Sequence, residues 1–282
     1  MRTILVPIDF TATTENAVKV AAEWAKQYEY EQIILLKTAE EAEFDYLHIA
    51  EGHSFVNEES INNLLEKTAL LLHDLSNIIL EKFPEIKVSK ELSDWSVTRS
   101  INETLKENTT IELIVLGSDD KIASSDSYVS DNIITIARTS PVKTLIVPNG
   151  YSYSRIKDIL IPCDINGITK LDRLFHHKSI IQQQDIQLML LNIHTKENAD
   201  DNVEKKKELE DYIHQNLTEI PNSIHYSYDK NIIDGILNFA GSNNTDLIIA
   251  LPGRHSFLYY LTSRSISEGI YQNVNQPVMI LK

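Results

Sequence analysis

The chain says the same thing twice. Ile4-Leu5-Val6-Pro7-Ile8-Asp9 returns as Ile159-Leu160-Ile161-Pro162-Cys163-Asp164. The apolar run Ile33–Thr38 has a counterpart in Gln187–Ile193, Ile111–Leu116 in Thr245–Leu251, and Pro141–Val147 in Pro277–Leu281. Four landmarks recurring in one order make the halves duplicates of a single domain, and the period is too long for a solenoid. A length of 282 residues gives each copy enough chain for a core of its own. The join falls at Pro148-Asn149-Gly150-Tyr151-Ser152-Tyr153-Ser154, where proline, glycine and serine supply turn and linker chemistry. The expected division is a first domain at 1–148, a linker at 149–154 and a second domain at 155–282.

Within each half the landmarks are short, continuous apolar runs, the pattern of strands buried on both faces of a parallel sheet. Helical periodicity lies between them. From Thr14 to Tyr28 it puts Ala17, Val20, Ala21, Trp24 and Ala25 on one face. From Ser60 to Phe83 it does the same for Leu64, Leu65, Thr68, Leu71, Leu72, Leu75, Ile78 and Ile79. Ser130 is expected to cap a further helix that runs through Arg138 and stops before Pro141. Strand and helix in alternation predict two tandem α/β domains, each doubly wound with right-handed crossovers. Ligands of such sheets sit outside the carboxyl ends of the strands, where strand order reverses. Asp9, Asp164 and the loop after Leu116 all fall at such ends.

A net charge of −15 and a pI near 5.0 set this surface against phosphate backbones and anionic lipid, so neither nucleic acid nor membrane is an expected partner. Met1–Asp9 is too soon interrupted for a signal peptide, and no run approaches the ~18 apolar residues of a membrane span. The single cysteine, Cys163, permits no intrachain disulfide and reads as a small buried strand residue. The expected location is cytoplasmic.

The landmarks resemble the universal stress protein (UspA) family over nearly the whole chain. They are Ile4–Phe10, Glu112-Leu113-Ile114-Val115-Leu116-Gly117-Ser118 and Ser140–Pro148 in the first half, with Ile159–Asp164, Asp246–Leu251 and Gln276–Leu281 in the second. The resemblance implies a five-stranded parallel sheet of order 3-2-1-4-5 in each domain, and pairing of domains edge to edge through their last strands. Here that would make an internal pseudo-dimer within one chain, able to dimerise again, and would cover two exposed sheet edges. ATP-binding members use the first-strand aspartate on the adenine side and a Gly-x2-Gly-x9-Gly-Ser/Thr loop around the phosphates. Glycine lets the backbone come close to a phosphate, and backbone N–H groups at a helix start supply the positive end of a dipole.

Both halves depart from that loop. In the first, Gly117 matches the first glycine, Asp120 replaces the second, and Tyr128 or Ser130 replaces the third. Asp119, Asp120 and Asp126 bring negative charge to the place a triphosphate would occupy. In the second, Leu251 and Arg254 replace both leading glycines, Pro252 removes a donor, and Arg264-Ser265 lies over the closing Gly-Ser/Thr. Arg254, His255 and Arg264 make this loop locally basic, which suits either a guanidinium-lined anion pocket or pairing with surface acids. Phe257–Leu261 reads as packing or interface. Asp9 and Asp164 are adenine contacts by the resemblance, or caps of the following turn by their position.

Other constellations are bland. Adjacent His176 and His177 point to different sides of a helix, and His48 and His53 with Asp45 and Glu51 lack the spacing of a zinc site. The run Glu204–Asp211 reads as a solvated helix face, and no nucleophile elbow, Walker loop or G-x-G-x-x-G is present. No enzyme activity, metal or firm cofactor is expected. The leading expectation is a stress-type regulatory protein that acts through protein partners and has lost ordinary ATP binding. The second is a nucleotide-binding member (ATP with Mg²⁺) using Asp9, Thr38, Gly117, Ser118 and Ser130. The third is an anion sensor or small enzyme site in the second half, with Asp164, Arg254, His255, Arg264 and Ser265 as candidates. The cleft beside Asp9 discriminates: Asp120 and Tyr128 filling it favours the first.

Overall fold

The computed structural model describes residues 1–38, 58–119, 127–195, 203–251 and 275–282. The described residues up to Val142 form one compact unit and those from Lys143 to Lys282 a second.

In the first unit β1 (Thr3–Ile8), β2 (Gln32–Thr38), β3 (Lys87–Ser93) and β4 (Ile111–Ser118) form parallel strands in the order β3-β2-β1-β4. Thr3 to Ile8 pair in step with Gln32 to Lys37, and Leu5 pairs with Ile114, so the three central strands end together. The apolar runs are buried on both faces: Ile4, Leu5, Val6, Ile33, Leu35, Leu113 and Ile114 are all fully buried. Each such side chain contributes on the order of 1.5–3 kcal/mol by leaving water.

The helices cover the two faces. α1 (Ala12–Tyr28) is alanine-rich and has no Gly or Pro. Thr11 caps it by accepting from the Thr14 N–H, and Glu29 ends it in the left-handed region at φ 57°. Its predicted inner face, Ala17, Val20, Ala21, Trp24 and Ala25, is buried. α2 (Glu58–Lys82) buries Leu72, Leu75 and Ile79 but leaves Leu65 (50%), Leu70 (64%) and Ile78 (37%) exposed. The expected stripe on α2 is thus only partly inward, because periodicity gives a face and not the length of core that covers it. α3 (Val97–Glu107) precedes β4. The helix expected to start at Ser130 is two pieces, α4 (Tyr128–Asp131) and α5 (Ile133–Thr139), parted at Asn132. Its cap is Ser127, whose side chain accepts from the Ser130 N–H.

The second unit contains β5 (Lys143–Pro148), β6 (Asp158–Pro162), β7 (Gln187–His194), β8 (Asn222–Tyr228), β9 (Leu247–Ala250) and β10 (Val278–Ile280). Its order is β5-β10-β9-β6-β7-β8. The last five are parallel and realise the expected 5-4-1-2-3 arrangement, whereas β5 runs antiparallel to β10, Leu145 opposite Met279. Where α1 follows β1, the chain after β6 makes only a 3-10 turn (Ile168–Leu171), α6 (Asp172–His176) and α7 (Lys178–Ile181). α8 (Val203–Asn216) and α9 (Ile232–Ser242) complete the unit. Among the described residues no helix is long and apolar enough to cross a membrane.

Candidate functional site

The in-step endings of β1, β2 and β4 bring Asp9, Thr38, Gly117 and Ser118 to one end of the first sheet, and α4 lays Ser130 beside them. All five first-half candidates therefore come together, but the side chains of Asp9, Thr38 and Ser130 are already engaged with the protein.

Asp9 shows this most clearly. Its Oδ1 accepts from the Thr11 N–H (3.2 Å), the Thr11 hydroxyl (2.6 Å) and the Thr14 hydroxyl (2.8 Å). Its Oδ2 accepts from the Ser127 hydroxyl (2.6 Å) and the Val129 N–H (3.2 Å). A carboxylate has room for about four donors, so little acceptor capacity is left for a ligand. The turn that delivers these donors holds Phe10 at φ 63°, an unfavourable region for an aromatic residue. The Asp9–Thr11 bonds hold it there.

Tyr128 closes the notch between β1 and β2. Its hydroxyl lies 2.7 Å from the Thr38 carbonyl and 3.2 Å from the Ile8 carbonyl, and receives the Thr38 hydroxyl at 3.1 Å. Lys37 donates from Nζ to the Thr38 carbonyl (2.7 Å) and to the Tyr128 hydroxyl (3.3 Å). The ammonium stands 5.3 Å from the Tyr128 ring centre and 5.8 Å from that of Phe10, within cation–π range.

The loop end is tied to α1. Asp119 accepts from the Thr13 hydroxyl, and its N–H donates to the Ser130 hydroxyl (3.0 Å). Ser118 is buried. Gly117 has a reason independent of any phosphate: a Cβ there would stand 2.5 Å from the Thr13 carbonyl oxygen, so the first turn of α1 packs onto bare backbone.

In the second unit Asp164 acts locally. Its Oδ1 accepts from the Asn166 N–H (2.9 Å) and side-chain amide (3.1 Å), which is a turn cap. Cys163 lies one residue beyond β6 rather than inside it, and the residue as a whole is half-buried rather than buried. Burial pushes its thiol up to about 12, and the Asp164 carboxylate adds to the rise, so the thiolate nucleophile is suppressed. The Cys163 carbonyl accepts from the Asn192 amide at 2.9 Å. Burial lowers the pKa of His177, with Lys143 adding to it, and its Nε2 lies 3.4 Å from the Lys282 carbonyl. His176 places Nδ1 3.1 Å from the Asp172 carbonyl, so the two histidines have separate partners. Arg254, His255, Arg264 and Ser265 lie outside the described residues, as do Asp120, Asp126, His48, His53 and Phe257–Leu261. Among the described residues no three His, Cys, Asp or Glu side chains are grouped to hold a metal ion.

Sequence reasoning missed Ser127, Lys37, Thr11 and Thr14. Two signals for them existed: Ser127 stands three residues ahead of Ser130 at a helix start, and Lys37 interrupts the apolar run of β2 at its carboxyl end.

The sequence profile of the universal stress protein family matches residues 1–148. Among solved structures, a universal stress protein from Archaeoglobus fulgidus is 16% identical, with 99% of this chain and 98% of that one covered at a TM-score of 0.67. A putative universal stress protein from Pseudomonas aeruginosa is 13% identical, with 100% and 93% covered at a TM-score of 0.57. Identities this low speak to the fold alone. No curated protein matches the chain in sequence.

Proposed function

This chain belongs to the universal stress protein family, and we propose that it is a cytoplasmic regulatory member that works by binding protein partners and has given up ordinary ATP binding. The observation that carries the reading is the self-occupied cleft of the first unit. Asp9, the residue the family offers to adenine, is saturated by Thr11, Thr14, Ser127 and Val129. Tyr128 covers the carbonyls of Ile8 and Thr38 beside it. An adenine nucleotide does not suit these residues: admitting it requires breaking the Asp9 bonds, turning Tyr128 out and bringing phosphates toward Asp119. Each buried group left without its partner costs about 1–3 kcal/mol. No nucleophile paired with a base stands at this end of the sheet among the described residues, so the reading is of a binding protein and not an enzyme.

The test uses the wild-type protein purified without added nucleotide. Denaturation and quantification of released ATP, ADP and AMP should find none, and calorimetric titration with Mg·ATP should give no binding heat. Stoichiometric nucleotide, or micromolar binding, overturns the proposal in favour of an ATP-dependent member.

A further inference from the structure

We propose that β8 is a self-association edge, where a second copy of this chain adds its own β8 antiparallel across a two-fold axis. β8 ends the sheet order of the second unit and, among the described residues, pairs with β7 alone. The Leu188 N–H donates to the Pro221 carbonyl and the Asp229 N–H to the His194 carbonyl. In a parallel ladder the residues that address the neighbour alternate, so 221, 223, 225, 227 and 229 turn toward β7. The backbone groups of Asn222, Ile224, Tyr226 and Tyr228 therefore face outward.

The faces of β8 are occupied even though its edge is open. The Tyr226 hydroxyl lies 3.2 Å from Glu210 on α8, and the His225 ring lies tilted against that of Phe239 on α9, 4.9 Å between centres, while bonding Ser223 at 2.9 Å. What is offered to a partner is the strand edge, which selects for another strand.

The edge strand of the first unit shows what a guarded edge looks like. There the Lys87 N–H donates to the Glu31 carbonyl, so Val88, Lys90 and Leu92 face outward. Self-pairing about the middle of β3 sets Lys90 against Lys90 of the second copy, a like-charge pair that opposes association. β8 carries no charge, no proline and no glycine from Asn222 to Tyr228. Hydrogen-bonded pairs must join outward residues to outward residues, and the register centred on His225 is the one that uses all four. Ile224 meets Tyr226 and Asn222 meets Tyr228, with His225 on the axis. All four outward residues are then satisfied, by about eight hydrogen bonds in total. An uncharged strip whose four outward residues all pair in one self-register fits a second copy better than a peptide of arbitrary sequence.

The test is sedimentation velocity of the full chain over a concentration series, with amide hydrogen exchange on the same samples. The expected result is a reversible dimer in which the amides of Asn222, Ile224, Tyr226 and Tyr228 gain protection as concentration rises. Proline at an outward position removes a donor from the dimer and none from the β7 ladder. Ile224→Pro and Tyr228→Pro should each raise the concentration of half-dimerisation roughly tenfold or more, with the circular dichroism of the wild type retained. A wild type that stays monomeric overturns the proposal. So does a dimer whose four outward amides exchange at a concentration-independent rate, or one that survives both proline variants in folded form. If a variant fails to fold, the wild-type exchange pattern decides alone.

Discussion

Two aspartates end equivalent strands of the duplicated domain, and they hold different things. Asp9 gathers donors from the β1–α1 turn and from a segment 118 residues away. Asp164 holds only the turn that follows it. The carbonyl before each tells the same story. That of Ile8 is met by the Tyr128 hydroxyl at 3.2 Å, and that of Cys163 by the neighbouring strand's Asn192 at 2.9 Å. In register Asn192 takes the place of Lys37, so one unit closes its strand ends from afar and the other from next door. The strands of both copies keep their apolar runs because burial on two faces tolerates little else. The strand ends were free to diverge, because any set of donors and acceptors that satisfies the backbone will serve.

The sharpest way to break this comparison is to remove each carboxylate. Asp9→Ala removes an acceptor from five donors, among them the backbone N–H groups of Thr11 and Val129, and should destabilise by about 2–4 kcal/mol. Asp164→Ala loses one turn cap and should cost about 0.5–1 kcal/mol. Urea unfolding followed by fluorescence and circular dichroism measures both. Equal losses would mean that the Asp9 network is no more than a local turn, and would remove the main support for a self-occupied cleft.

The sequence disclosed the elements and the meeting place. Apolar runs of about six residues marked the other strands but not the edge strands β3 and β8, which carry no such run, and the sheet order came from the family resemblance. It did not disclose what fills the meeting place. The bond from Ser127 to Asp9 is long-range and follows no period, so neither residue signals the other. Tyr128 was visible only as a glycine replaced. The expected helix from Ser130 failed for a local reason: Ser127 captures the Ser130 N–H, and the chain breaks again at Asn132. Reading Gly117 as part of a phosphate loop had a rival that only packing reveals, the approach of Thr13.

That rival sets a second comparison, of two glycines that follow strand ends, Gly117 and Gly167, and differ in what stands beside them. At Gly117 a methyl group meets backbone, the Thr13 carbonyl oxygen at 2.5 Å, and α1 must shift to admit it. At Gly167 it meets the far end of the Lys170 side chain at 2.9 Å, which can swing aside. Gly117→Ala is expected to cost about 1–3 kcal/mol as an overpacking change, and Gly167→Ala to stay within about 0.5 kcal/mol. Thermal unfolding of both variants checks the pair. A neutral Gly117→Ala would return that glycine to a functional explanation.

A smaller effect than those at Asp9 and Gly117 is expected at Cys163, which brings an ionisable group to the strand end where the first copy has Ile8. Burial holds the Cys163 thiol at about 12 in the folded protein, whereas an unfolded cysteine titrates near 8.5. As pH rises past that unfolded value, the unfolded chain gives up a proton that the folded chain retains. The unfolded state then binds fewer protons, so stability falls with rising pH until the folded value is reached. By pH 9 the loss from this one group is a little under ~1 kcal/mol, and it should vanish in Cys163→Ala. Comparing urea midpoints of wild type and variant at pH 7.5 and pH 9 isolates it from the tyrosines, which are common to both proteins. The same burial predicts that the native thiol reacts with iodoacetamide at pH 8 at least about tenfold more slowly than the unfolded one. Equal rates, with no pH-dependent difference between wild type and variant, would place Cys163 in solvent and make the second copy's strand end open where the first is closed.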